Sequence, residues 1–318
     1  MPQLADNFQV RFERKWAHLT RPHVRALAWL LDGPDLLDPA SALWHGRIAT
    51  LGPLRRSTAE WLAALQADPA PLDAALGPRF YSRLGLYAEK LMAFYFEQQG
   101  QLVAHGLQVR ASRNDTVGEF DFLLRSGATL LHWEFATKFY LLEGGLADPG
   151  LNRLVGPNLA DTLGAKMRKI LEKQLALGEH PAAQSLLPQA IDGAQALLRG
   201  WLFYADGAVQ PLAGIAPDHC HGFWCRLEQA ADVRGERFVI LPRLQWLAPF
   251  KAAAGVEVLR RGALQAVLAG RFAGAPAPVL VAAVIEQDGW VTERERGFIV
   301  PDDWVSQAAG RRAAGALA

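Results

Sequence analysis

One stretch of the sequence combines strand-like hydrophobicity with side chains that could do chemistry. Residues 117–142 read as two strands, because Phe, Leu, Trp, Val and Tyr dominate both runs. A tight turn at residues 125–127, ending on Gly127, separates the two runs. The segment therefore predicts a β-hairpin, and its polar residues must project from one face or the other.

Acids lie on faces of this hairpin where Val or Ile would be expected. Since side chains alternate along a strand, Asp121 shares a face with Glu119 on the first strand. On the second strand Glu134 shares a face with His132 and Lys138. Burying a lone carboxylate costs several kcal/mol or more by rough estimate, so this pattern requires a cation, a proton or water nearby.

A helix predicted over residues 79–99 carries a third acid of the same kind. Glu89 falls on a side of the helix that is otherwise apolar, among Gly85, Met92 and Phe96. Two interpretations stay open. Glu89 is either an acid at a helix–helix contact, held by an arginine or a backbone donor, or a carboxylate aimed at a site.

The overall composition excludes several classes of protein. The chain has 318 residues and a net charge of +1, so no global field attracts nucleic acid, and any such binding needs a local patch. No apolar run approaches the ~18 residues of a membrane helix, and the first residues lack the apolar core of a signal peptide. With only two cysteines, we expect no disulfide scaffold, no membrane contact and a cytoplasmic location.

The order of predicted elements divides the chain into three parts. Residues 1–78 read as a helical N-terminal cap, residues 79–206 as an α/β core and residues 207–318 as a β-rich C-terminal region with a frayed end from residue 308. In the core, the helix is followed by three strands, two helices and a fourth strand. The three strands are predicted at 102–109, 117–124 and 129–142, the two helices at about 158–177 and 182–198, and the fourth strand at 201–204.

Common catalytic motifs are missing from the sequence. It contains no phosphate-cradling GxxxxGK[ST], no GxGxxG, no GxSxG and no HExxH. His219, Cys220, His221 and Cys225 are metal-binding residue types, but no second Cys/His pair completes a set of four ligands. A loop with two free thiols is therefore favoured over a zinc site.

The acids and their order resemble the PD-(D/E)XK superfamily, whose members have the restriction-endonuclease-like fold. Gly-Glu-Phe-Asp at 118–121 looks like the superfamily's second motif, and Glu134 to Lys138 looks like a stretched form of its Glu-x-Lys. Glu89 matches the acid often found on the first helix. The runs WEFATKFYL and GPNLADTL also resemble an uncharacterised bacterial family, a domain of unknown function placed in this superfamily.

The resemblance implies a fold and a set of roles. The fold would be α/β, with a mixed central sheet flanked by helices. Asp121 and Glu134 would bind Mg²⁺ or Mn²⁺ with support from Glu89, and Lys138 would orient or activate the attacking water. The superfamily's lysine usually lies two residues after the acid, where this chain has Ala136. Lys138 keeps the correct face but lies one pleat further along the strand, so a catalytically dead descendant is the alternative.

A predicted stripe of lysines suggests the partner. Lys166, Lys169 and Lys173 recur at helical spacing and would contact a DNA backbone as point charges, or else form an ordinary solvated face. The leading hypothesis is a Mg²⁺-dependent nuclease that hydrolyses DNA phosphodiesters. The alternatives are an inactive nucleic-acid-binding or protein-interaction module with the same fold, and a purely structural network of ion pairs involving Arg125.

Overall fold

The computed structural model describes residues 7–78, 81–112, 115–144, 150–205, 207–274, 276–314 and 317. Its α-helices are α1 (Phe8–Trp16), α2 (Pro22–Asp32), α3 (Arg56–Ala67), α4 (Ala70–Leu76), α5 (Leu84–Gln98), α6 (Leu163–Lys169), α7 (Pro181–Gln184), α8 (Arg261–Gly274) and α9 (Trp304–Ala313). Its strands are β1 (Leu102–Ser112), β2 (Asp115–Ser126), β3 (Thr129–Leu142), β4 (Leu154–Val155), β5 (Gly193–Ala205), β6 (His221–Arg226), β7 (Arg237–Ile240), β8 (Lys251–Ala253), β9 (Leu259–Arg260), β10 (Val279–Gln287) and β11 (Trp290–Val300).

One large mixed sheet organises the described chain. Its strand order is β1-β2-β3-β5-β6-β11-β10-β7-β9, with β4 paired to β3 and β8 paired to β11. The pairs β1/β2 and β2/β3 are antiparallel, whereas β3/β5, β5/β6 and β6/β11 are parallel. The strands of the C-terminal region thus continue the sheet that the hairpin begins, and the predicted α/β class with a mixed sheet is confirmed.

The alternation of side chains along β3 builds a separate core on each face of the sheet. Phe135, Phe139 and Leu141 pack in the core that contains α2 and α5. Tyr140 and Leu142 face the other way and pack in the core that contains α6. Because both faces of β3 are covered, apolar residues occur on both of its faces, as is typical of a central strand, and His132, Glu134 and Lys138 are exceptions.

The N-terminal helices close one face of the sheet over β5. Pro22 opens α2, where its missing N–H costs no hydrogen bond. Trp29 stacks on Trp201 of β5, with ring centroids 6.3 Å apart. Buried Arg199 donates to the carbonyl oxygens of Leu30 and Gly33 and to the Asp35 carboxylate, so the end of α2 is fixed to the sheet.

Several predicted elements are confirmed. The bounds of β3 agree with the prediction, and β1 and β2 run two or three residues further than predicted. Helix α5 is described from Leu84, and the first residues of its predicted span, 79 and 80, lie outside the described residues. Asp288 and Gly289 both have positive φ in the turn between β10 and β11, as the predicted hairpin requires.

Other predictions are wrong. Residues 182–198 form only the short helix α7 before β5 begins at Gly193, so the predicted helix covers a buried strand. The helix predicted to reach residue 177 is α6, which begins after Thr162 and changes to a π-helix at Ile170–Gln174. The end predicted to fray from residue 308 is helical to Ala313, because Trp304 and Ala308 are buried against the core.

Within the described residues, no helix is both long enough and apolar enough to span a bilayer.

Candidate active site

Asp121 lies where the regular alternation of β2 breaks. Phe120 packs with Leu123 in one cluster, while Phe122 packs with Leu124 in the core on the opposite face. The side chain between them projects towards β3, and Asp121 Oδ2 accepts a hydrogen bond from the backbone N–H of Phe135 at 2.9 Å. The regular pairing of the two strands is formed on the turn side, from Phe122 and Trp133 onwards. A carboxylate therefore stands between the strands where they diverge.

Glu134 is the neighbour of Asp121 on β3 and is almost completely buried, with 2% of its side chain exposed. Its Oε1 lies 3.0 Å from His132 Nε2, and its Oε2 accepts a hydrogen bond from the Gln174 side chain. Burial lowers the pKa of His132 to about 4. The imidazole is therefore neutral at pH 7, and a hydrogen bond joins its Nε2 to the Glu134 carboxyl.

The Asp121 and Glu134 carboxyls both have strongly raised pKa values. Burial is the largest cause of the raised pKa of Asp121, and the charge of Glu134 adds to it, together bringing the pKa to about 7. Burial raises the pKa of Glu134 to about 7 as well, with a smaller contribution from the charge of Glu89. Two carboxyls that share one site cannot both ionise cheaply, so the pair holds a proton near neutral pH unless a cation replaces it.

A π-helical turn brings the Gln174 amide to Glu134, and Gln174 in turn contacts Lys166 on the helix before the turn. Helix α6 begins at Thr162, whose hydroxyl caps the Ala165 N–H at 3.1 Å, and the π-helix follows directly. Gln174 at its end donates to Glu134, and its Oε1 accepts from Lys166 Nζ at 3.2 Å. Single π-turns occur frequently at functional sites, because the extra residue re-aims the side chains that follow.

Lys166 is the lysine whose charge acts on both carboxyls. It stabilises the ionised forms of Asp121 and Glu134 and so opposes the rise in the pKa of each. Burial lowers the pKa of Lys166 itself, and the charge of Lys138 adds to that effect. The predicted single stripe of three lysines is therefore wrong in part. Lys166 turns inward to the site, whereas Lys169 and Lys173 are exposed.

Lys138 is bound to a different carboxylate from the one expected. It lies on the Glu134 face of β3, but its Nζ forms an ion pair with Asp161 Oδ2 at 2.7 Å. The Tyr140 hydroxyl donates to the same oxygen at 3.1 Å, so Asp161 ties the 156–162 loop to the strand. The Lys138 ammonium is therefore engaged by Asp161, and Lys166 is the lysine whose charge acts on the acid pair.

Glu89 lies close enough to act on the acid pair through its charge, but its direct partner is a histidine. Its Oε1 is 2.7 Å from His105 Nε2 on β1, and both side chains are partly buried. The His105 ring stacks on Phe122 with centroids 5.4 Å apart. Both interpretations of Glu89 therefore stay open, since it has a direct partner in His105 and its charge also adds to the raised pKa of Asp121 and Glu134.

The donor set limits what kind of metal ion the site can hold. Among the described residues, no three His, Cys, Asp or Glu side chains are grouped closely enough to form a metal cage. Two adjacent carboxylates remain, and Mg²⁺ is commonly held by one or two carboxylates while it keeps several waters.

Three contacts of the site were not predicted from the sequence. Gln174 reaches Glu134 only because of the π-turn, and no sequence pattern marks that turn. His105 meets Glu89 where α5 packs against β1, which is a tertiary relationship. Alternation along β3 placed His132 on the Glu134 face, and this placement was the only sign in the sequence of their contact.

The Cys/His cluster lies elsewhere, and its two cysteines pack in different hydrophobic cores. His219 is buried and contacts the Tyr204 hydroxyl at 2.8 Å and the Ala216 carbonyl oxygen. Cys220 packs in the core beneath α2, whereas Cys225 packs in the cluster against α8. Burial raises the pKa of the Cys220 thiol to about 12, which disfavours the thiolate that a metal would need.

Comparison with known proteins identifies the family. Residues 25–300 match the family described as Domain of unknown function (DUF1853), and the chain belongs to that family. No curated protein and no solved structure matches the chain significantly.

Proposed function

We propose that this protein is a divalent-metal-dependent nuclease that hydrolyses DNA phosphodiesters in the cytoplasm. The observation that carries the proposal is the Asp121–Glu134 pair. Both carboxyls have raised pKa values, and the charge of one lysine acts on both. Where β2 and β3 diverge, Glu134 is buried and Asp121 is half-buried. An acid pair of this kind is expensive to bury, and perturbed carboxyls of this kind cluster at functional sites.

The arrangement of elements supports a restriction-endonuclease-like core. Helix α5 precedes the antiparallel strands β1, β2 and β3, and the chain then passes through α6 to β5, which pairs parallel to β3. The acids lie on the second and third of these strands, as the resemblance of Gly-Glu-Phe-Asp and Glu134 to the superfamily motifs implies. This position of the acids supports the proposal.

The chemistry of the pair suits phosphodiester hydrolysis. When bound, Mg²⁺ would supply an acidic water and neutralise charge on the phosphate, which are the two requirements of the reaction. Asp121 and Glu134 would hold the ion and Glu89 would support it from α5. The N–H of Phe135 fixes one oxygen of Asp121, and the Gln174 amide fixes one of Glu134, so each carboxylate is held in a defined orientation.

Lys166 takes the part that the resemblance assigned to Lys138. Its Nζ is held by Gln174 Oε1 on the side of Glu134, and its charge acts on both carboxyls. In this proposal the ammonium orients the attacking water and stabilises negative charge on the phosphate. Lys138 secures Asp161 and, through it, the loop that leads into α6.

An inactive module is the second candidate, and the ion pair of Lys138 with Asp161 favours it. In an inactive descendant the strand lysine would have no catalytic role and could pair with another acid, as Lys138 does with Asp161. Such a protein would keep the fold and would bind nucleic acid or another protein through the exposed lysines Lys169 and Lys173.

Metal binding by the acid pair can be tested without an activity assay. Millimolar Mn²⁺ or Mg²⁺ should raise the melting temperature, because a ligand of the native state stabilises it by mass action. Asp121→Asn keeps an acceptor for the Phe135 N–H and should remove the rise. The matched control is Asp303→Asn, at an exposed acid next to α9, which should leave the rise unchanged. The absence of any metal-dependent shift in the wild type would count against the metal site.

A further inference from the structure

Helix α5 and strand β1 are joined by a contact between Glu89 and His105. A hydrogen bond of 2.7 Å connects Glu89 Oε1 with His105 Nε2, and both side chains are partly buried. The contact lies where α5 packs against β1, which is the edge strand of the sheet. Since the imidazole is a direct partner of the Glu89 carboxyl, it influences how that carboxyl is oriented.

Packing against the core holds the His105 ring in place. His105 lies opposite Phe122 in the pairing of β1 with β2, and the two rings stack with centroids 5.4 Å apart. Phe122 is itself buried and meets the Phe96 ring of α5 edge to face, with centroids 5.3 Å apart. A ring that is fixed by packing presents its nitrogen in a defined direction, which is what a residue needs in order to orient another.

One oxygen of Glu89 remains for another partner. His105 engages Oε1, whereas no hydrogen bond involves Oε2 among the described residues. The charge of Glu89 adds to the raised pKa of both Asp121 and Glu134, so its carboxylate lies within electrostatic reach of the acid pair. An acceptor oxygen is therefore available near the proposed metal site.

Glu89 lies too far from Asp121 and Glu134 for the three acids to form a cage. In the part of the chain that the structure describes, no group of three His, Cys, Asp or Glu side chains could hold a metal ion. Mg²⁺ keeps several of its waters when one or two carboxylates bind it, and a further carboxylate can accept hydrogen bonds from those waters. Glu89 would therefore act on the ion through water.

We propose that His105 is a positioning residue that holds the Glu89 carboxylate towards the waters of a divalent ion bound by Asp121 and Glu134. This inference rests on the metal site of the proposed function and adds a residue of β1 to it. The direct partners of metal ligands typically contribute about 10- to 100-fold to the affinity for the ion. Because His105 acts one step further away, through Glu89, its loss should weaken metal binding by less, about fivefold.

Binding of Mn²⁺ to the full chain, followed by the electron paramagnetic resonance signal of the free ion, tests the proposal without an activity assay. His105→Phe keeps a ring that can stack on Phe122 but removes the nitrogen at Glu89, and it should raise the Kd for Mn²⁺ about fivefold. His105→Gln returns an amide N–H and should restore the Kd to within about twofold of the wild type. His105→Leu removes the same nitrogen and replaces the Phe variant if that variant does not fold.

Gln108→Leu is the matched control on the same strand. Gln108 Nε2 donates to Glu119 Oε2 at 3.4 Å, and both side chains are exposed. The substitution removes a donor from an acid that has no part in the proposed metal site. The Kd for Mn²⁺ should therefore stay at the wild-type value.

A double-mutant cycle shows whether His105 acts through Glu89. Glu89→Gln alone should raise the Kd about tenfold, and adding His105→Phe to it should change the Kd no further. A purely structural role of His105 predicts a lower melting temperature with an unchanged Kd, and that result would overturn the proposal. An unchanged Kd in Glu89→Gln, or the same loss from His105→Phe in both backgrounds, would overturn it as well.

Failure of the proposed nuclease would give a different pattern of results. A wild type that binds no Mn²⁺ would refute the metal site and this inference together. A wild type that binds Mn²⁺ but cleaves no DNA would refute only the nuclease, and the Kd values of the variants would still decide the role of His105.

Discussion

The Asp121 carboxylate accepts a hydrogen bond from the backbone N–H of Phe135 across the gap between two neighbouring strands. A side chain thereby replaces a backbone acceptor at the point where β2 leaves β3. This contact fixes Asp121 beside Glu134, which immediately precedes Phe135 in the chain. The closeness of the two carboxyls, which raises the pKa of Asp121, follows from that placement.

The acid pair should make stability depend on pH. Free Asp and Glu carboxyls titrate near pH 4, whereas burial raises the pKa of both Asp121 and Glu134 to about 7. Between these values the folded state binds more protons than the unfolded state, so the stability that the pair contributes falls as pH rises. Relative to Asp121→Asn/Glu134→Gln, the wild type should lose ~1 kcal/mol or more between pH 5 and 7 in metal-free urea denaturation. A difference that stays constant with pH would contradict the perturbed pair.

Substitutions of Lys166 and Lys138 should have different effects, the first on DNA cleavage and the second on stability. Lys166→Met should lower DNA cleavage about a hundredfold or more, because its ammonium acts on the acid pair. Lys138→Met should mainly lower the melting temperature, because it leaves Asp161 without its cation. Initial cleavage rates and melting curves of both variants measure the contrast. A larger loss of cleavage in Lys138→Met than in Lys166→Met would indicate that Lys138, and not Lys166, orients the attacking water.

The exposed lysines Lys169 and Lys173 should contribute to DNA binding through their charge alone. Lys169→Ala/Lys173→Ala should weaken binding and reduce the slope of log K against log salt by about 1.5, since each phosphate contact releases counterions. Arg260→Ala/Arg271→Ala removes the same charge from exposed residues at the far edge of the sheet and is the matched control. Fluorescence anisotropy across a salt series measures both. Equal slopes in the two variants would show that Lys169 and Lys173 do not contact the DNA.

Much of this arrangement follows from local sequence patterns. Apolar periodicity placed α5 and β1 to β3, and alternation placed Glu134, His132 and Lys138 on one face. The helix prediction for residues 182–198 is wrong because Ala and Leu favour helices locally, whereas tertiary pairing with β3 makes a strand from Gly193. The pairing of Lys138 with Asp161 and the reach of Gln174 depend on a loop and a π-turn, which no short-range pattern encodes.

Gly200 should be indispensable for the contact between β3 and β5. It lies opposite Lys138 in the parallel ladder, and a Cβ at this position would come within 2.1 Å of the Lys138 carbonyl oxygen. Gly200→Ala should therefore cost at least about 2 kcal/mol of unfolding free energy. Gly270→Ala in α8 is the control, because its Cβ would meet nothing within 4 Å and helix propensity predicts a gain of up to ~1 kcal/mol. Denaturant unfolding that shows both variants equally stable would contradict the tight ladder.

Cleavage of DNA by the purified full-length chain is the most direct test of the proposed nuclease. With Mg²⁺ or Mn²⁺ present, the wild type should hydrolyse single- or double-stranded DNA, and EDTA should stop the reaction. Asp121→Asn should reduce the rate to below about one hundredth while its circular dichroism spectrum stays that of the wild type. A wild-type protein that is inert on both forms of DNA with either metal, or an Asp121→Asn variant as active as the wild type, would contradict the proposal.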